Sequence, residues 1–246
     1  MTASVRAGIL ALGFISVCSV TPAFAQELSF SLGEDQSISA RAIQILVLVT
    51  VLSLAPGLAI MITCFPFMVT VLAILRQGIG LQQSPPNMLL ISLALFLTYF
   101  VMEPVFSDAW SAGIEPLLQE KVPTEEGIRL ALDPFRAFMA ARIDQDTYFA
   151  MASLRPEFQD VSDTSSAPLS LLIPSFMLSE ISRAFQVGFL LFLPFLIIDL
   201  VVAAVLMSMG MMMVPPAIVS LPFKLAFFVI ADGWTLVADG LVRGYF

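Results

Sequence analysis

The chain has 246 residues, of which 59% are hydrophobic and only 12% charged, and its formal net charge is −8. A soluble domain carries charge on about a quarter of its residues, so a single water-soluble domain is excluded and an integral membrane protein fits; mean hydropathy, at +0.95, agrees. Histidine is absent, which removes Ser-His-Asp and Cys-His catalysis, histidine general bases and HExxH zinc sites together, and the acidic balance argues against nucleic acid as a partner.

In chain order, residues 1–25 read as a cleaved secretory signal. Arg6 supplies the positive start, residues 7–20 the apolar run, and Ala23-Phe24-Ala25 the small-residue cleavage site, leaving Gln26 as the first mature residue. A first transmembrane helix is the other reading, but the run is shorter than the roughly 20 residues a span needs. Cleavage removes Cys18 and leaves Cys64 without a partner for a disulfide or a cysteine metal cluster.

Four apolar segments follow, and each is predicted to be a helix. The first covers 42–62 and continues weakly through 67–75, with a kink or break expected at Pro56-Gly57. The second covers 88–102 and ends at Glu103-Pro104. The third covers 184–209 and carries one charge, Asp199. The fourth covers 217–237 and carries Lys224 and Asp232. The fold class is therefore an all-α membrane protein of two long helical hairpins, at 26–102 and 184–246.

Residues 103–183 differ in kind. They hold 13 of the 19 acids and 6 of the 11 bases, and form a soluble, mainly helical insert. Within it Ile128, Leu132, Phe135, Met139 and Ile143 recur every three or four residues, which predicts a helix over 124–143. Thr124 is the expected N-cap, with Glu125 and Glu126 complementing the helix dipole. An exported N-terminus followed by four spans puts this insert on the periplasmic side of the bacterial inner membrane. The turn near Arg76, with one base and no acid, then faces the cytoplasm.

Methionine is concentrated at Met207, Met209, Met211, Met212 and Met213, just before Val214-Pro215-Pro216. Consecutive large apolar residues do not follow helical spacing, so the run suits a loop. Methionine packs around changing neighbours, and a ring of such side chains could close a pore by dewetting. On these residues alone, ordinary core filler is the simpler reading. Asp199 stands among apolar residues, and a lone carboxylate is costly in lipid. It reads either as a proton relay or as an inter-subunit hydrogen bond or ion pair, the latter preferred because no second acid is near. Glu180 and Arg183 lie three apart and can pair on one helix face. Lys224 and Asp232 lie eight apart, too far for a direct bond within one helix, and are expected to pair with other chains. A Ser220-Lys224 dyad is conceivable, but nothing argues for a substrate cleft around it.

Several blocks resemble the FliP family, the core export-gate protein of the flagellar type III secretion apparatus. They are Pro85-Pro86-Asn87 with Ala94-Leu95-Phe96-Leu97-Thr98, and Ser179-Glu180 with Ala184-Phe185-Gln186-Val187-Gly188-Phe189. Pro194-Phe195-Leu196-Ile197-Ile198-Asp199-Leu200 is another. The last joins Gly210-Met211-Met212-Met213-Val214-Pro215-Pro216 to Leu221-Pro222-Phe223-Lys224 and Asp232-Gly233-Trp234. The resemblance implies a pentamer assembled with FliQ-like and FliR-like subunits, next to a larger export-gate protein and the basal-body ring. Unfolded flagellar proteins would be the cargo. It implies a methionine gasket at Met211, Met212 and Met213, with Met209 beside it, and hairpins that need not lie wholly in lipid. It implies no cofactor and no metal. The chain departs from the family pattern at Phe65-Pro66-Phe67, where a basic residue is usual, and by small changes at Ser175 and Val187. Injectisome relatives share the blocks but usually lack a cleaved signal, so the signal favours the flagellar branch. The competing reading is a small-solute transporter or ion-channel subunit. It requires charged or polar pairs at matched midplane positions, and near Leu93–Leu97 nothing matches Asp199. No residue set resembles an enzyme site.

Overall fold

A computed structural model describes residues 38–81, 84–158, 163–211 and 213–245; the expected signal at 1–25, Cys18 and Met212 lie outside them. Helix α1 spans Ile38–Met61, α2 Phe65–Ile79 and α3 Asn87–Ala109. A π-helical turn at Trp110–Ile114 leads into the short α4, Glu115–Leu118. Then come α5 at Thr124–Arg142, α6 at Gln145–Ser153 and a 3₁₀ turn at Pro156–Phe158. Helices α7 at Leu169–Ser208, α8 at Pro216–Ile230 and α9 at Gly233–Arg243 complete the order. The described residues are all-α, with no strand among them. The chain divides into two units, Met1–Val51 and Leu52–Phe246. The first holds the start of α1, where the Thr50 hydroxyl donates to the Leu46 carbonyl at 2.7 Å.

The sequence predicts a kink or break at Pro56-Gly57; the structure carries α1 through Pro56, so the helix does not end there but at Met61. Helix α2 begins with Pro66 in its first turn, where a missing amide leaves no bond unmade. It ends at Gly80, whose φ of 89° caps the helix in the left-handed region. Three described helices are long and apolar enough to cross a membrane: Arg41–Met61, Asn87–Leu118 and Leu169–Ser208. A fourth span is available if the bent pair Pro216–Ile230 and Gly233–Arg243 counts as one. That pair corrects the expectation of one continuous helix over 217–237. The chain turns by 63° at the break, where Asp232 adopts a left-handed φ of 49°, a conformation aspartate tolerates better than most residues. In the insert, Pro123 rather than Thr124 precedes the first turn of α5, and no side chain caps it.

The least conspicuous apolar segment forms the centre. Phe67, Met68, Val71, Leu72 and Leu75 of α2 are buried against Leu90, Ala94, Val101 and Met102 of α3. Ala184 and Phe195 of α7, Phe228 of α8 and Leu241 of α9 close the same core. A second core joins the insert to the start of α7 through Met139, Ile143, Tyr148, Leu171, Leu172 and Phe176. Helix α7 has 40 residues and is therefore about 60 Å long, twice the roughly 30 Å of a hydrocarbon layer. One end of it carries the insert while the other bears the long apolar stretch interrupted by Asp199. Many large apolar side chains on α3, α7 and α8 remain exposed, among them Phe96, Phe100, Phe189, Ile197, Phe223 and Ile230. Patches of that extent mark contact with lipid or other subunits.

Candidate functional site

Three groups of side chains stand out. The first is a polar cluster where α2, α7 and α8 meet. Lys224 on α8 is buried, and its ammonium donates to the Asp199 carboxylate on α7 at 2.6 Å and to the Gly78 carbonyl near the end of α2 at 3.0 Å. The Ser220 hydroxyl, one turn earlier on α8, donates to the other Asp199 oxygen at 2.5 Å. A cation at the carbonyl end of a helix is favoured by the helix dipole, and the pair cancels two charges that would be costly alone in apolar surroundings. Beside it lies a polar cavity of about 530 Å³, lined by Arg76, Gln77, Gly80, Leu81, Asp199, Ala217 and Lys224. Asp199 keeps a third of its side chain exposed there. Arg76 braces the adjoining turn through Asn87 and the Pro85 carbonyl. Asp199 and Lys224, each read from the sequence as seeking a partner in another chain, pair with each other within this one. Lys224 and Asp232 do not share a helix face, because α8 ends between them. Asp232 is exposed at the break.

The second cluster surrounds Glu180 on α7, whose side chain is fully buried. Arg142, from the last turn of α5, reaches it at 2.9 Å, and the expected helical partner Arg183 lies farther away at 3.6 Å. Tyr245, just after α9, donates its hydroxyl to the other Glu180 oxygen. Next to them the Ser179 hydroxyl accepts from the Asp144 amide at 3.0 Å and donates to the Ser175 carbonyl at 2.8 Å. Asp144 caps α6 by accepting from the Thr147 amide and hydroxyl. Those bonds hold its carboxyl below the usual aspartate range.

The third group is the methionine loop. Helix α7 ends at Ser208 with Met209 as its C-cap, and Gly210 follows with φ of 75°. The Gly210 amide bonds to the Met207 carbonyl and the Met211 amide to the Leu206 carbonyl, a Schellman cap. The cap turns the chain sharply and leaves Met207, Met209, Met211 and Met213 exposed, Met213 almost entirely, at 96%.

A family model described as the FliP family matches residues 48–241. The chain belongs to the FliP family. Flagellar biosynthetic protein FliP of Caulobacter vibrioides is 49% identical over 98% of this chain and 91% of its own length. The FliP of Agrobacterium fabrum is 47% identical over 86% of each chain. That of Bacillus subtilis is 42% identical over 88% of this chain and 97% of its own. The FliP match contains Arg142, Glu180, Asp199, Ser220, Lys224 and the methionine loop, while Gly244 and Tyr245 lie beyond it.

Sequence reasoning singles out Asp199, Lys224, Glu180 and Arg183 but misses Ser220 as a partner of Asp199. It also misses Arg142 and Tyr245 as partners of Glu180. The nearest available signal is the rule that a buried carboxylate needs a cationic or hydroxyl donor, which demands a partner without naming it.

Proposed function

We propose that this chain is a flagellar biosynthetic protein that forms the pore wall of the flagellar type III export gate in the bacterial inner membrane. Five copies assemble with FliQ-like and FliR-like subunits, the insert at 103–183 faces the periplasm, and unfolded flagellar proteins pass through the lumen. Met209, Met211, Met212 and Met213 form the gasket that closes it. The observation that carries this reading is the family membership, joined to a tightly capped turn whose flexible apolar side chains point away from their own chain. The extensive exposed apolar surface fits a subunit that completes its burial only in an assembly. The chain's role is that of a conduit wall, with no chemistry of its own.

The test replaces Met209, Met211, Met212 and Met213 together with alanine in a strain lacking the native copy. The expected result is a gate of normal composition that leaks small solutes, measured as dye entry or loss of growth in high salt. A tight gate with normal assembly overturns the gasket. Failure of the wild-type chain to co-purify with two small apolar subunits overturns the gate assignment itself.

A further inference from the structure

We propose that Gly244 and Tyr245 form a latch that ties the α8–α9 arm, and with it the methionine loop, to the junction between the insert and α7. The backbone here is exposed at Arg243 and Gly244 while the Tyr245 ring is inserted. That ring stacks on Phe138 of α5 at 6.2 Å with an interplanar angle of 13°, and meets Phe67 of α2 edge-on at 5.6 Å. The Arg142 guanidinium lies over it, 3.7 Å from the ring centre. Arg142 is the hinge pin of the arrangement: it pairs with Glu180 on α7 and donates to the Gly244 carbonyl at 2.9 Å. That carbonyl follows the last turn of α9, at the helix end where carbonyls lack an intrahelical partner. One guanidinium therefore holds an acid of the long helix, the C-cap carbonyl of α9 and an aromatic ring between them. Planar, multi-donor geometry of this kind is what arginine supplies and lysine does not.

The chemistry makes the contact separable from the rest of the core. Burial, with the Glu180 carboxylate beside it, pushes the Tyr245 hydroxyl well above the usual tyrosine range, so it remains a donor at any physiological pH. Helix α9 itself is held by Val237 and Leu241 in the main core, whereas the attachment to the insert runs through Tyr245 and Arg142. Withdrawing one ring would uncouple the arm from the insert and uncover the core only beside Phe67 and Cys64, leaving the packing of α2 on α3 and α7 closed.

Cys64 reports on this directly. It is completely buried and belongs to the core cluster against which Tyr245 packs. In a Cys18→Ala background, maleimide labelling of Cys64 in purified membranes measures latch opening. A control cysteine at Ala94, fully buried on α3 in the same core, reports general unfolding. Tyr245→Ala and Arg142→Ala should each raise Cys64 labelling at least tenfold with the Ala94→Cys probe unchanged. Tyr245→Phe, which keeps the ring and loses the hydroxyl, should fall between them and wild type. The double variant should label no faster than either single one, because both open the same contact. The proposal is overturned if Tyr245→Ala labels at the wild-type rate, if both probes become reactive together, or if the two alanine variants multiply.

Discussion

The Asp199–Lys224 pair predicts an asymmetry between its two halves. Asp199→Ala leaves the Lys224 ammonium buried, 6% exposed, with the neutral Gly78 carbonyl as its remaining acceptor. Removing one partner of a buried pair costs about 3–5 kcal/mol because the other charge stays uncompensated. The partial exposure of Asp199, at 32%, means the intact pair is screened, which places the cost near the lower end, about 3 kcal/mol. Lys224→Met strands a carboxylate instead, but one that faces the polar cavity and still accepts from Ser220. Its loss should be about 1–2 kcal/mol, the cost of an unmade hydrogen bond. For a chain of this length each kcal/mol moves the midpoint by about 2–4 °C, so Asp199→Ala should melt roughly 6–12 °C below wild type and Lys224→Met only a few degrees below. Thermal unfolding of the purified chain in mild detergent, followed by tryptophan fluorescence, reads both. The double variant Asp199→Ala/Lys224→Met should recover part of the loss, with a coupling of about 1–3 kcal/mol. Asp199→Asn, which retains an acceptor for Ser220, should be milder than Asp199→Ala. Equal losses for the two single variants, or strict additivity in the double, would refute the reasoning.

Two further consequences concern the insert. At Gly113, in the π-helical turn, an added Cβ would sit 2.3 Å from the Ala131 amide nitrogen and 2.5 Å from the Gly127 carbonyl oxygen of α5. These are backbone atoms that cannot rotate away, so Gly113→Ala should force the two elements apart at a cost of about 3 kcal/mol, the upper end for overpacking, and expose α5 to protease; a protease pattern like wild type would show that the packing is looser. At Asp144 the folded-state carboxyl lies below its unfolded value because the Thr147 amide and hydroxyl bond to the ionised form. Its stabilisation is therefore complete above the ordinary aspartate range, near pH 4, and declines as pH falls through the lowered value. Amide exchange of α6 should accelerate on acidification below about pH 4, and Asp144→Ala should remove that dependence; an unchanged pH profile in the variant would assign it elsewhere.

Several features were legible because they are sums over neighbouring residues. Hydropathy marked the apolar helices of α3, α7 and α8, and the density of charge marked residues 103–183. The three-and-four spacing marked α5 nearly to its ends, at Thr124–Arg142. The capping residue of α5 and the continuity of α1 through Pro56 escape the sequence pattern for a local reason. Proline is accepted before a first turn or inside a helix whose neighbours compensate, and the one-dimensional pattern does not reveal which case holds. The fourth segment was misread because a single left-handed residue, Asp232, interrupts an apolar run without changing its composition.

The membrane class, the all-helical architecture and the unusual methionine cluster follow from composition and order alone, since each depends on residue type and local spacing. The partnerships do not. Asp199 finds Lys224 25 residues away, Arg142 finds Glu180 38 residues away, and Tyr245 returns 65 residues to the same acid. Burying a charge requires a partner wherever the chain is, but only the packing of α2, α5, α7 and α8 brings particular donors within 3 Å of particular carboxylates. The same packing decides that α2, the least conspicuous of the apolar stretches, is the helix around which the rest is built.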